Sequence, residues 1–219
     1  MSWLDGGKLL ETVERRPDLS EAIAVNMFRA WYVPLYRYGV LHGDPHLGNY
    51  SVRADGSLNL MDFGCVRIFK PPFVKAVIDL YRSVQTGDEE LAAEAYRIWG
   101  FGKLTKEIVS ILNMWARFIY EPLLDDRPRL IGQANGGIYG REIARDVHKK
   151  LVEAGGVDVP REFVFMDRAT LGLGSVFIHV KAELNWHRIF EELIADFDTD
   201  AVAARQAEVL QKNGIPLPS

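Results

Sequence analysis

Apolar residues recur at helical spacing along most of the chain. Lys8 to Arg16 reads as a short helix that Pro17 ends, and Asp18 with Glu21, at capping-box spacing, opens a long one. Ile23, Met27, Ala30, Trp31, Leu35 and Tyr38 mark its buried face, with a kink expected at Pro34 and an exit through Gly39. The period then shortens. Tyr50-Ser51-Val52 and Leu58-Asn59-Leu60-Met61 are strand-like runs joined through Ala54-Asp55-Gly56-Ser57, and Asp-Gly in that setting predicts a β-hairpin.

From Pro71-Pro72 onward helical spacing returns. Phe73, Val77, Leu80, Tyr81 and Val84 form one stripe as far as Thr86-Gly87-Asp88. Asp88 caps a second helix through Trp99, ended by Gly100 and Gly102, and a third runs from about Thr105 to Tyr120. Residues 121 to 140, with two Asp, two Pro and four Gly, are the least regular stretch and the best candidate for a mobile loop. Within it Gly136-Gly137 and Gly140 read as a turn or cap before a helix from Arg141 to Ala154, which Gly155-Gly156 closes. Pro160 opens a strongly apolar block carrying Phe163, Met166, Ala169, Leu173, Val176, Phe177 and Val180, read as core, with a lipid- or partner-facing groove as the competing reading. His179, Glu183 and His187 follow at i, i+4, i+8, which reads as a polar helix face. A polar helix from Asp196 through Lys212 precedes an end expected to fray.

At 219 residues, 48% hydrophobic and 26% charged, the chain suits one globular domain. A formal charge of -4 and a pI near 5.8, with no basic stripe, exclude general nucleic-acid binding. Cys65 is the single cysteine, so no intrachain disulfide forms and a reducing, cytoplasmic setting is expected. The longest uncharged stretch, Ala169 to Val180, is too short to cross a bilayer, so no transmembrane segment is expected.

Candidate chemistry is concentrated in residues 41 to 64, L-H-G-D-P-H-L-G-N-Y-S-V-R-A-D-G-S-L-N-L-M-D-F-G. Asp44 is followed five positions later by Asn49 and thirteen later again by Asp62. That order supplies one carboxylate to orient or deprotonate a nucleophile and two hard oxygen ligands for Mg²⁺, as phosphoryl transfer needs. The hairpin between Asn49 and Asp62 brings its two ends together. His46 reads as a brace for the loop, through hydrogen bonds to backbone groups.

The segments H-G-D-P-H-L-G-N (42 to 49) and M-D-F-G (61 to 64) resemble those of the AarF/UbiB atypical kinase family, whose patterns are approximately H-x-D-P-H-P-G-N and L-D-F-G. Leu47 stands where the family usually has Pro, which frees one φ angle and removes no chemical group. Met1-Ser2-Trp3-Leu4-Asp5-Gly6 is similar to the hinge between the two kinase lobes, and Arg168 to Gly174 to a late helical segment of the family.

The resemblance implies an α+β, mostly α fold: the C-terminal lobe of a protein-kinase-like fold with a small catalytic-loop β-hairpin. It would be a single domain over 1–219, with a hinge-like segment at 1–7, the loop, hairpin and D-F-G turn at 41–64, a helical remainder at 71–219, and no N-terminal lobe. Asp44 takes the catalytic position, His42, His46, Asn49 and Asp62 the cofactor site, and Asn49 and Asp62 the metal, with ATP and Mg²⁺ as cofactors. The implied activity is an MgATP-dependent phosphotransferase or ATPase linked to ubiquinone and isoprenoid lipid metabolism. Its partners would be a nucleotide, an isoprenoid lipid or quinone-pathway protein, and either the missing lobe or a second copy. The setting is cytoplasmic or peripheral to a membrane. Aminoglycoside- and choline-kinase-like phosphotransferases share the H-G-D-x-H-x-x-N layout and remain an alternative, as does a non-catalytic lobe that only binds a partner.

Overall fold

In the computed structural model, which describes residues 4–131 and 137–218, the chain folds as the apolar periods predict, with strands confined to short ribbons. Strand β1 (Gly7–Lys8) leads into α1 (Leu9–Arg15). The capping box is not made. Arg16 takes the Asp18 carboxylate with two hydrogen bonds of 2.9 and 2.7 Å, so a 3₁₀ turn over Pro17–Leu19 leads into α2 (Ser20–Tyr38) without a side-chain cap. An adjacent guanidinium outcompetes a backbone N–H for a carboxylate because both partners are charged.

Helix α2 runs through the middle of the core. Ile23, Met27, Trp31 and Leu35 are buried as expected, joined by Ala24, Phe28 and Tyr36, and Pro34 lies inside the continuous helix. Gly39, at φ 68, turns the chain out of α2 in the left-handed region that glycine adopts without strain.

Four short strands follow: β2 (Val40–His42), β3 (Tyr50–Val52), β4 (Leu58–Leu60) and β5 (Val66–Ile68). The predicted hairpin is β3 paired antiparallel with β4, Tyr50 opposite Leu60, and β1 adds to its other edge. A second ribbon, absent from the sequence reading, pairs β2 with β5 and sets His42 opposite Val66.

The helical remainder comprises α3 (Pro71–Thr86), α4 (Glu89–Ile98), α5 (Lys106–Tyr120), α6 (Gly137–Glu153), α7 (Arg161–Val180), α8 (Trp186–Ile194) and α9 (Thr199–Lys212). Asp88 caps α4 through its side chain, as read from sequence, and Thr105 caps α5 in the same way.

Three expectations are corrected. Helix α6 starts at Gly137, four residues before Arg141, while Gly136 lies outside the described residues, as do Met1, Ser2 and Trp3 of the hinge-like segment. Part of the irregular stretch is ordered: β6 (Arg129–Leu130) pairs with β7 (Glu183–Leu184), and Arg129 forms ion pairs with Glu121 and Asp125. The His179-Glu183-His187 face does not exist, because Lys181 at φ 55 ends α7. Glu183 then falls in β7 and His187 in α8, where the His187 ring meets the Leu123 carbonyl at 2.8 Å.

Helix α7 as a whole is long and apolar enough to span a bilayer, which its uncharged half alone is not, and about a third of its most apolar window is buried within the fold. Its residues Ala169, Leu173, Val176 and Val180 belong to the core. Near the end of the chain, Gln206 of α9 is buried and donates to the carbonyls of Tyr38 at 2.7 Å and Phe69 at 2.9 Å, at the end of the β2–β5 ribbon where Val40 pairs with Ile68.

Candidate active site

The candidate residues sit where the two ribbons meet. β2 delivers His42 into a buried position beside Trp31 of α2, whose indole N–H donates to the His42 carbonyl at 3.0 Å. The imidazole then spans two segments. Nδ1 accepts the Asp44 backbone N–H at 3.2 Å, and Nε2 lies 2.8 Å from the Asp62 carbonyl. A carbonyl only accepts, so Nε2 carries the proton and the ring is the neutral Nε2–H tautomer. One side chain therefore holds the backbone of both candidate carboxylate residues, 18 positions apart in sequence. Phe63 closes over the ring at 5.8 Å between centroids.

The other contacts converge on the same loop. Asn49, on a 3₁₀ turn over Leu47–Asn49, is buried, and its Nδ2 donates to both the carbonyl and Oδ2 of Asp44 at 3.0 Å each. Those two bonds fix the amide orientation and leave Oδ1 as the acceptor with no protein partner among the described residues. His46 braces the turn by accepting the Gly48 N–H at 3.1 Å, as its sequence setting suggested. Tyr50 donates its hydroxyl to the Pro45 carbonyl, and burial together with the nearby Asp44 charge pushes its phenol well above the ordinary tyrosine range.

The hairpin ends are joined by the Met61 N–H donating to the Asn49 carbonyl at 2.8 Å, and Gly43 donates to the Cys65 carbonyl at 2.6 Å. Asp62 itself is exposed and stands at φ 56, a left-handed conformation in which its Oδ1 accepts the Gly64 N–H at 3.0 Å. Holding a non-glycine residue there costs on the order of 1 kcal/mol, and such strain concentrates where a side chain must be aimed.

Two contacts from α7 were not foreseen. A Cβ built on Gly43 would come within 2.0 Å of the Phe165 ring, and one on Gly172 within 2.6 Å of the Pro45 Cγ. The glycine in the late helical segment is thus what lets α7 lie against the loop. Arg67 of β5 adds an ion pair to Glu162 at 3.0 Å and covers the Phe165 ring. The signal was present in the sequence as a glycine inside an apolar helix, but its partner is more than a hundred residues away.

The donor set suits a hard cation. Among the described residues no three His, Cys, Asp or Glu side chains cluster as metal ligands. What the site offers is one amide oxygen, the half-buried Asp44 carboxylate and the exposed Asp62 carboxylate, the kind of sparse oxygen set that Mg²⁺ completes with water and phosphate oxygens.

Residues 1–96, somewhat under half of the chain, match the ABC1 atypical kinase-like domain family, and that span contains Asp44, Asn49 and Asp62. The chain is also similar to individual proteins. An uncharacterized protein of Synechocystis, slr0889, is 32% identical over 101 residues, covering 43% of this chain and 25% of that protein. The Arabidopsis thaliana protein Activity of BC1 complex kinase 1, named as chloroplastic, is 25% identical over 98% of this chain and 31% of its own length. The chain thus spans less than a third of the curated relatives it matches. Among solved structures, the Rv3197 protein of Mycobacterium tuberculosis, in complex with erythromycin, superposes with a TM-score of 0.58 over 88% of this chain and 48% of that one, at 18% identity. The fold is therefore kinase-like, mostly helical α+β.

Proposed function

We propose that this chain forms the C-terminal, metal-binding lobe of an ABC1 atypical kinase-like protein, acting in MgATP-dependent transfer of the γ-phosphoryl group. The observation that carries this reading is the His42 imidazole, which bonds the backbones of both Asp44 and Asp62, with the Asn49 amide bonded to Asp44. Asn49 Oδ1 and the Asp62 carboxylate would hold Mg²⁺, and the cation would supply charge neutralisation along the phosphates. Asp44 orients the attacking hydroxyl or water and takes up its proton, while the Asn49 amide keeps the Asp44 carboxylate in one rotamer. His42 and His46 act on the backbone of the loop, as positioning residues.

The acceptor we favour is a small molecule, an isoprenoid or quinone-type lipid, or water. No long activation segment separates the Asp62 turn from α3, which begins at Pro71, so the region that reads a protein substrate in ordinary kinases has little room. Calorimetric titration with MgATP tests the assignment. Asp62→Asn should abolish Mg²⁺-dependent nucleotide binding with the thermal melt unchanged, and Asp44→Asn should retain binding while losing hydrolysis. Equal nucleotide affinity in Asp62→Asn and the parent chain would remove the metal role and leave a lobe that serves only to bind a partner.

A further inference from the structure

Helix α7 has a second working face. Phe165 and Gly172 press on the loop, whereas Asp167, Thr170, Gly174 and Ile178, at i, i+3, i+7 and i+11, line the other side. Phe165 and Gly174 are nine positions apart, which at 3.6 residues per turn sets them on opposite sides of the helix. The side bearing Gly174 faces a cavity of about 650 Å³ enclosed by α2, α5, α6, α7 and α8. That volume is in the range of sites for drug-sized ligands.

The wall is apolar and rich in rings. Tyr32 and Tyr36 come from α2, Trp115 and Tyr120 from α5, Phe163 from α7 and Phe190 from α8. Burial pushes the Tyr32 phenol up to about 12. Into this lining projects one carboxylate that, among the described residues, has no cationic partner. Asp167 Oδ1 accepts the Trp115 indole N–H at 2.8 Å, and among the described residues Oδ2 has no protein donor. The other carboxylate of the wall, Glu121, is already taken by Arg129. Arg141 and His148 of α6 also line the cavity, and both are exposed to solvent.

A carboxylate set among aromatic faces is the arrangement that binds ammonium groups, by charge pairing and cation–π attraction together. An anionic or purely hydrocarbon ligand would leave Asp167 buried and unmatched, which is costly. We propose that this cavity is a binding site for an apolar small molecule carrying a basic nitrogen, with the ammonium against Asp167 and the hydrocarbon along the floor between α2 and α5. The site is separate from the phosphoryl-transfer constellation, and the inference stands or falls independently of that reading.

The test titrates the chain, at submicellar concentration, with three matched probes: dodecylamine, dodecanol and dodecanoate, read by tryptophan fluorescence and calorimetry. Dodecylamine should saturate one site with a Kd on the order of 10 µM, tighter than dodecanol and far tighter than dodecanoate. Asp167→Asn should weaken dodecylamine at least tenfold and leave dodecanol within about twofold. Gly174→Leu, which fills space where a Cβ meets no atom within 4 Å, should remove binding of all three probes. If that variant does not melt cooperatively, Gly174→Val takes its place. Equal dodecylamine affinity in Asp167→Asn, dodecanoate as the tightest probe, non-saturating binding or no binding would each overturn the proposal.

Discussion

If the His42 ring is the pin between the two halves of the site, its removal should have a definable cost. His42→Ala deletes two hydrogen bonds, to the Asp44 N–H and the Asp62 carbonyl, and empties a buried position between Trp31 and Phe63. Each bond contributes about 1 kcal/mol net, and the lost ring packing adds roughly another 1 kcal/mol, for about 3 kcal/mol in all. In a chain of this size that lowers Tm by roughly 6–12 °C. Two partial replacements separate the contributions. His42→Asn can present an oxygen near the Nδ1 position and recover the Asp44 contact, while His42→Gln can present an N–H near Nε2 and recover the Asp62 contact. Urea unfolding monitored by fluorescence reads the stabilities, and amide exchange at Gly64, whose N–H donates to Asp62 Oδ1, reads whether the turn has come loose. Each partial variant should lie between the parent and His42→Ala, and only Gln should keep protection at Gly64. A loss below about 0.5 kcal/mol for His42→Ala, well under one net hydrogen bond, would refute the pin. So would nitrogen chemical shifts that place the ring proton on Nδ1.

The contacts of α7 give further tests. Gly172→Ala should lose about 1 kcal/mol against Pro45 although Ala is the better helix former, whereas Gly174→Ala should gain about as much, both read from urea midpoints. Gly43→Ala should cost roughly 1–3 kcal/mol by displacing Phe165, and the Phe165→Leu background should absorb much of it in a double-mutant cycle. Burial raises the Asp167 carboxyl above its ordinary 3.8, so its ionised form is disfavoured in the folded state. Asp167→Asn should therefore melt higher than the parent at pH 7, with the difference closing as pH falls toward and below 4. Glu191 behaves oppositely: hydrogen bonding to Arg82 lowers its carboxyl below 4.5, and the stability this provides is present at neutral pH and lost as pH falls through that lowered value. Arg82→Met should flatten the acid limb of the stability profile.

What was legible in the sequence was local. Asp88 announces its helix within three residues, Asp-Gly announces the β3–β4 hairpin, and the apolar stripes of α2 and α3 are periods that one helix face must satisfy. Asp18 misled because a charged neighbour two positions away competed for the same carboxylate. The β2–β5 ribbon escaped notice because three-residue strands with no tight turn between them carry no periodic signal. The constellation of Asp44, Asn49 and Asp62 could be proposed from spacing, but the parts that hold it could not. Trp31, Phe165 and Gly172 act through contacts whose partners lie far along the chain, and residue type alone assigns each of them to ordinary core or helix.

The bonds of Gln206 bear on the order in which this molecule can be assembled. They close loops of 168 and 137 residues onto the two strands of the ribbon that carries His42, at the end away from His42. Contacts of such long sequence separation form slowly and late. A nascent chain emerging N-terminus first thus exposes the segment containing Asp44 long before α9 exists to clamp it. Maturation of the site should coincide with docking of the final helix, and a ribosome-stalled chain ending before Thr199 should yield an unclamped, protease-sensitive loop.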